Sequence, residues 1–155
     1  MRPLWYSKVL IGSFLLCLGF AGCKKEETLE DWTKDTKPVI TGVQASPGSV
    51  AAYTQSVSLV VTYRDGDGDL GQNQQGVENL FVKDPRTGSV TAYRIPQLAA
   101  DGGSYPIEGN IKIEIKALGL TQSSTSEKVK LEVYLKDRKG NVSNTQSSNE
   151  ITIAP

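Results

Sequence analysis

The stretch Val57-Ser58-Leu59-Val60-Val61-Thr62-Tyr63-Arg64 sets Val57, Leu59, Val61 and Tyr63 against Ser58, Val60, Thr62 and Arg64. Successive side chains of an extended chain point to opposite faces, so a period of two with one apolar face is the mark of a half-buried strand. The same pattern runs through Ile111-Lys112-Ile113-Glu114-Ile115-Lys116, through Val129, Leu131, Val133 and Leu135, and through Ile151 and Ile153 at the end. Asp84-Pro85-Arg86-Thr87-Gly88 carries Pro and Gly at turn positions and links two such runs as a hairpin. The pattern predicts seven strands, over 39–43, 56–64, 79–83, 90–95, 107–118, 128–136 and 149–153. No segment after the first 23 residues holds a helical i, i+3, i+4 repeat, so the expectation is an all-β, two-sheet antiparallel β-sandwich over 38–155.

Composition narrows the chemistry. The chain has 155 residues, 17 Lys+Arg against 17 Asp+Glu, two Cys, one Met and no His. Without His it cannot build a Ser-His-Asp or Cys-His unit, a His-ligated zinc or a histidine pH switch. The even charge gives no basic excess of the kind that draws nucleic acid.

The N-terminus reads as an address. Two basic residues, Arg2 and Lys8, precede the apolar run Val9 to Leu18, the build of a secretory signal peptide and too short to span a bilayer. Leu18-Gly19-Phe20-Ala21-Gly22-Cys23 then resembles the lipobox of bacterial lipoproteins, with Phe20 departing from the usual Leu three positions before the cysteine. The resemblance implies cleavage after Gly22 and a diacylglyceryl group on the Cys23 thiol, so that 1–22 is the signal peptide and 23–37 a lipidated, polar tether. The mature chain keeps Cys23 as its only thiol, with no disulfide partner, and lipidation consumes it. Two or three acyl chains hold a protein to a bilayer almost permanently. Lys24-Lys25-Glu26-Glu27-Thr28-Leu29-Glu30-Asp31 is similar to the acidic export signal of Bacteroidetes lipoproteins, which implies outer-membrane attachment and display at the cell surface. Trp32 can rest at the membrane interface or dock on the domain.

Val133-Tyr134-Leu135-Lys136-Asp137-Arg138-Lys139-Gly140-Asn141-Val142-Ser143 is similar to the last hairpin of bacterial immunoglobulin-like domains, where a strand runs into an Asp-x-x-Gly-Asn-x-Ser turn. That likeness implies an immunoglobulin-like sandwich, although the Cys and Trp core marks of antibody domains are absent.

The densest chemistry is Asp65-Gly66-Asp67-Gly68-Asp69-Leu70-Gly71, where three carboxylates alternate with glycines at a strand end. Calcium takes six to eight oxygen ligands, and alternating Asp on a curled backbone can aim several at one point. The spacing begins like an EF-hand loop and then departs from it, with Leu70 at the invariant glycine position and Gly76 where the bidentate Glu belongs. The run is similar to a loop of immunoglobulin-like Bacteroidetes lipoproteins. If strands 56–64 and 128–136 run in the same direction, as in such sandwiches, Asp137 and Asn141 approach Asp65, Asp67 and Asp69, and the Asp101-Gly102-Gly103 loop emerges beside them. These five residues are the candidate ligands of a calcium; an ion-free turn and a catalytic carboxylate pair are the alternatives.

Glu108, Glu114 and Glu132 are further carboxylates, the last two on polar strand faces. Tyr53, Tyr93 and Tyr105 offer a sugar-stacking platform, and Asn141-Val142-Ser143 is a sequon that reads as a turn. The expectation is a non-catalytic lipoprotein acting in binding, adhesion or structural support, with its membrane as partner; the alternative is a glycan-binding accessory lipoprotein of a polysaccharide uptake system.

Overall fold

Val57, Leu59 and Val61 are completely shielded from solvent and Tyr63 nearly so, all on one face of the strand that organises the first sheet. In the computed structural model, which describes residues 31–121 and 125–155, the chain is all-β. Its strands are β1 (Val39–Ser46), β2 (Ser49–Ala51), β3 (Val57–Asp65), β4 (Leu80–Lys83), β5 (Val90–Tyr93), β6 (Ile107–Ile115), β7 (Glu127–Val129), β8 (Glu132–Leu135), β9 (Gln146–Ser147) and β10 (Ile151–Ala154). Among the described residues, a 3₁₀ turn, Trp32–Lys34, precedes them. Cys23, the signal segment and the first half of the tether lie outside the described residues.

One layer is the antiparallel sheet β1-β3-β6; the other comprises β5-β4-β8-β9 and, beside it, β2-β10-β7. The chain passes from the first layer to the second at Pro47-Gly48, between β1, which pairs antiparallel with β3, and β2, which runs parallel to β10. Between the layers lies one apolar core, with Leu59 and Val61 from β3, Leu80 from β4, Val133 and Leu135 from β8, and Ile151 and Ile153 from β10 at its centre. Each fully buried side chain of this type contributes about 1.5–3 kcal/mol relative to exposure. The result is a β-sandwich of the expected class.

The seven expected strands are present; the structure divides one of them and adds two short strands that the pattern did not predict, β2 and β9. The run 128–136 is β7 followed by β8, with a change of partner between them: β7 pairs with β10, whereas β8 pairs with β4 and β9. Ser148 marks the break. Its backbone N–H donates to Leu131 O at 2.9 Å and its hydroxyl accepts the Leu131 N–H at 3.0 Å, so the interruption leaves no orphaned backbone group at Leu131. Val129, Leu131, Val133 and Leu135 stay buried throughout. Periodicity therefore reads the face correctly while being blind to the partner. The closing strand expected over 149–153 is β10, and the two-residue β9 lies just before that run.

Three asparagines act as short pieces of backbone. The Asn144 carboxamide accepts the Ile40 N–H at 2.8 Å and donates to Ile40 O at 3.0 Å. Asn149 does the same for Ala45, at 2.6 and 3.1 Å. Asn79, buried, does it for Ile95, at 2.6 and 3.1 Å. An amide side chain carries one acceptor and one donor group, which is what a single strand residue presents along its edge. The first two asparagines thereby close the outer edge of β1.

Candidate metal centre

The loop after β3 is wholly interior: every residue from Asp65 to Gly71 is buried. A run of three aspartates is an unusual thing to shield from water, because a buried carboxylate needs a partner to offset its lost hydration. The covering comes from three places. Trp32 and Asp35 lie against Gly66, Tyr105 against Gly68, and Pro96 against Gly71. A Cβ at Gly66 would collide with the carbonyl oxygens of Trp32 and Asp35, so only glycine allows that approach. Gly68 adds a positive φ of 71°, a conformation that L side chains rarely adopt. The alternation Asp-Gly-Asp-Gly-Asp thus packs backbone against the loop on one side and turns carboxylates together on the other.

One oxygen from each of Asp65, Asp67 and Asp69 lies within 4.8 Å of the others. Asp65 is fully buried, and one of its oxygens, Oδ2, accepts the Leu70 N–H at 2.9 Å. Its Oδ1, Asp67 Oδ1 and both oxygens of Asp69 have no hydrogen-bond partner among the described residues. Among the described residues the cation paired with these carboxylates is Lys139, whose exposed side chain reaches over to bond Asp67 Oδ2 and to stand 3.5 Å from Asp69 Oδ2. Three carboxylates meet one ammonium, which leaves a deficit of positive charge.

The protonation equilibria register that deficit. Burial, and after it the neighbouring Asp67 carboxylate and the charge of Asp69, push Asp65 up to about 6, against the pull of the Leu70 N–H. Asp69 is raised by burial first, then by the Asp137 and Asp67 charges, with Lys139 opposing. Burial and the Asp65 charge raise the Tyr63 phenol as well.

The loop after β8 does come to this end of the sandwich. Arg138 N–H donates to Asp69 O at 3.2 Å, and the Arg138 guanidinium donates to Gly71 O at 2.8 Å. Of the five expected ligands, Asp65, Asp67 and Asp69 form the cluster. Asp137 and Asn141 stand in the adjoining loop and are bonded to each other: the Asn141 N–H reaches Asp137 Oδ1 at 2.8 Å and Asn141 Nδ2 reaches Asp137 Oδ2 at 2.7 Å. Asn141 Nδ2 also donates to Thr36 O at 2.9 Å, tying the segment before β1 to this loop. Asp101 arrives through Arg138 Nε, 3.6 Å away, with its own carboxylate largely in solvent.

Trp32 is docked. Its ring lies 5.8 Å from the Arg64 guanidinium, a cation–π placement on the outer face of β3. Sequence reasoning missed Lys139 and Arg138 as members of the site, although both stand inside the Asp-Arg-Lys-Gly-Asn turn; alternation of charge signs there was the available signal. Glu132 pairs with Lys83 at 3.0 Å, and Glu108 and Glu114 are exposed. The three tyrosines are not brought together. Tyr105 backs onto Gly68 at the acidic end, Tyr53 donates to Leu120 O at the opposite end, and Tyr93 packs on the core from β5.

No protein-family model matches this chain, and no curated protein matches it.

Proposed function

We propose that this protein is a lipid-anchored, non-catalytic sandwich module of the outer membrane whose Asp65, Asp67 and Asp69 bind calcium. The observation that carries the metal reading is the set of four carboxylate oxygens in a buried loop with no hydrogen-bond partner among the described residues. A solvated turn would leave such oxygens open to bulk water, whereas every residue from Asp65 to Gly71 is buried. The donors are all oxygen, with no His or thiolate beside them, which favours a hard cation over zinc or copper. Calcium tolerates a flexible set of carboxylates, whereas magnesium demands near-ideal octahedral geometry. The ion would supply the missing positive charge and clamp the loops after β3 and β8, and with them the docked Trp32 segment. Complete shielding of Asp65 argues against the carboxylate-pair alternative, since a substrate has no access to it.

The anchor rests on Cys23 and its lipobox-like flank, and the binding or supporting role on a rigid sandwich presented beyond a short polar tether. Calcium titration of the full chain in detergent, read by thermal melting, tests the metal. Extracellular calcium modules bind at 10⁻⁴–10⁻³ M, so about 10 mM calcium should raise the melting point by roughly 5–10 °C through preferential binding to the folded state. A flat titration that Asp67→Asn leaves unchanged would remove the site. Intact-mass spectrometry of the membrane-extracted chain tests the anchor: an unmodified Cys23 thiol or a retained leader would remove it.

A further inference from the structure

We infer that the free edge of β6 is a homodimer interface, on which a second copy of this chain adds its own β6 antiparallel to extend the sheet. The β1-β3-β6 sheet has two edges, and the protein treats them differently. Asn144 and Asn149 occupy the β1 edge, as described above. At the other edge, β6 pairs with β3 along its full length from Ile107 to Ile115 and, among the described residues, with nothing on its far side. No hydrogen bond beyond the β3 ladder engages its backbone among those residues. The other sheet edges are short: β5 has four residues and β2 three, against nine for β6. A long, regular, uncapped edge is a template for another strand, and proteins that do not use such an edge usually blunt it.

Charge along β6 selects the partner and the register. Glu108, Asn110, Lys112 and Glu114 lie exposed on the outer face, while Ile107, Gly109, Ile111 and Ile113 lie half-buried on the inner one. Two copies of one strand meet about a two-fold axis, and directly opposed residues share a face, so the register moves in steps that keep outer opposite outer. Full overlap, centred on Ile111, would set Glu108 against Glu114 of the second copy, twice. Centring on Lys112 would oppose the two Lys112 ammoniums. Centring on Asn110 opposes Asn110 to its counterpart and creates two reciprocal Glu108–Lys112 pairs. On the inner face it sets Ile107 against Ile113 and Gly109 against Ile111, so no like charges meet over 107–113. The sequence of β6 is thus self-complementary over the seven residues 107–113 in this register, whereas centring on Ile113, which pairs Lys112 with Glu114, overlaps only the five residues 111–115.

A covalent trap tests both the contact and its register. In the full chain in detergent, Asn110→Cys should form an intermolecular disulfide under mild oxidation, because directly opposed residues sit about 4.5–5.5 Å apart at Cα, within disulfide reach. Lys112→Cys should not, since its counterpart lies about four residues further along, roughly 13 Å. The parent chain controls for linkage through Cys23. Sedimentation at about 100 µM should show Glu108→Lys weakening dimerisation roughly tenfold and Glu108→Lys/Lys112→Glu restoring it. These side chains are exposed, so the variants keep the fold, which melting verifies. A monomer with no Asn110→Cys cross-link, equal cross-linking at 110 and 112, or a charge swap that fails to rescue would each overturn the inference.

Discussion

Lys139 Nζ stands 3.5 Å from Asp69 Oδ2 while also bonding Asp67, so one surface ammonium is held over a buried acidic cluster. The Lys139 ammonium is held above its ordinary pKa, first by the Asp67 hydrogen bond and then by the Asp67 and Asp69 charges. Lysine and a divalent cation compete for the same oxygens. The side chain is largely exposed and free to swing into solvent, which makes it a displaceable counter-ion. Lys139→Met should therefore lower the melting point of the calcium-free protein by a few degrees and strengthen calcium binding roughly tenfold, measured by calorimetric titration.

Asp69 gives a prediction of opposite sign. Both of its oxygens lack hydrogen-bond partners among the described residues, and Asp137 and Asp67 repel it. Asp69→Asn keeps the shape and removes a charge, so it should stabilise the calcium-free protein by about 1 kcal/mol while abolishing the calcium-dependent rise in melting point. Chemical denaturation with and without calcium reads both effects from one sample.

The raised Asp65 pKa fixes a pH dependence for the calcium-free protein. Its folded value is about 6, above the ordinary carboxylate value of 3.8. Between these two values the folded state holds a proton that the unfolded state has released, so this group's contribution falls as pH rises and is lost above the folded value. Stability measured in chelator should therefore decline from about pH 4 to pH 6.5 relative to Asp65→Asn, which cannot titrate. A wild-type profile parallel to that of Asp65→Asn across this range would contradict the assignment.

The asparagine caps on β1 predict a coupled effect. Asn144→Ala leaves the Ile40 N–H and C=O without their bonds at 2.8 and 3.0 Å, and Asn149→Ala does the same at Ala45. Each substitution should cost about 1–3 kcal/mol by urea titration. The double variant should also self-associate through β1, which light scattering would detect as species larger than those of the parent.

Legibility followed physical range. Alternation at 57–64 and 129–135 identified faces correctly because side-chain direction is a local property of an extended chain. The same alternation ran unbroken through Leu131 and gave no sign that the strand changes partner there, since Ser148 is seventeen residues away. The acidic loop was legible as a cluster of carboxylates, but its burial was not. Nothing in Asp65–Gly71 announces that Trp32, Pro96 and Tyr105 will lie across it.

What the sequence determined by itself was therefore composition and local direction: an all-β chain, an absence of histidine chemistry, a lipobox-like cysteine and three aspartates spaced by glycine. The tertiary structure decided which distant segments share a site. It placed Lys139 over the triad, locked Asp137 to Asn141, separated the tyrosines, closed the edge of β1 and, among the described residues, gave β6 no partner beyond β3. Those outcomes depend on contacts between residues as much as 105 positions apart, as between Thr36 and Asn141. Such contacts arise only when two sheets pack and water is driven from between them, a collective event with no signature in any short window of residues.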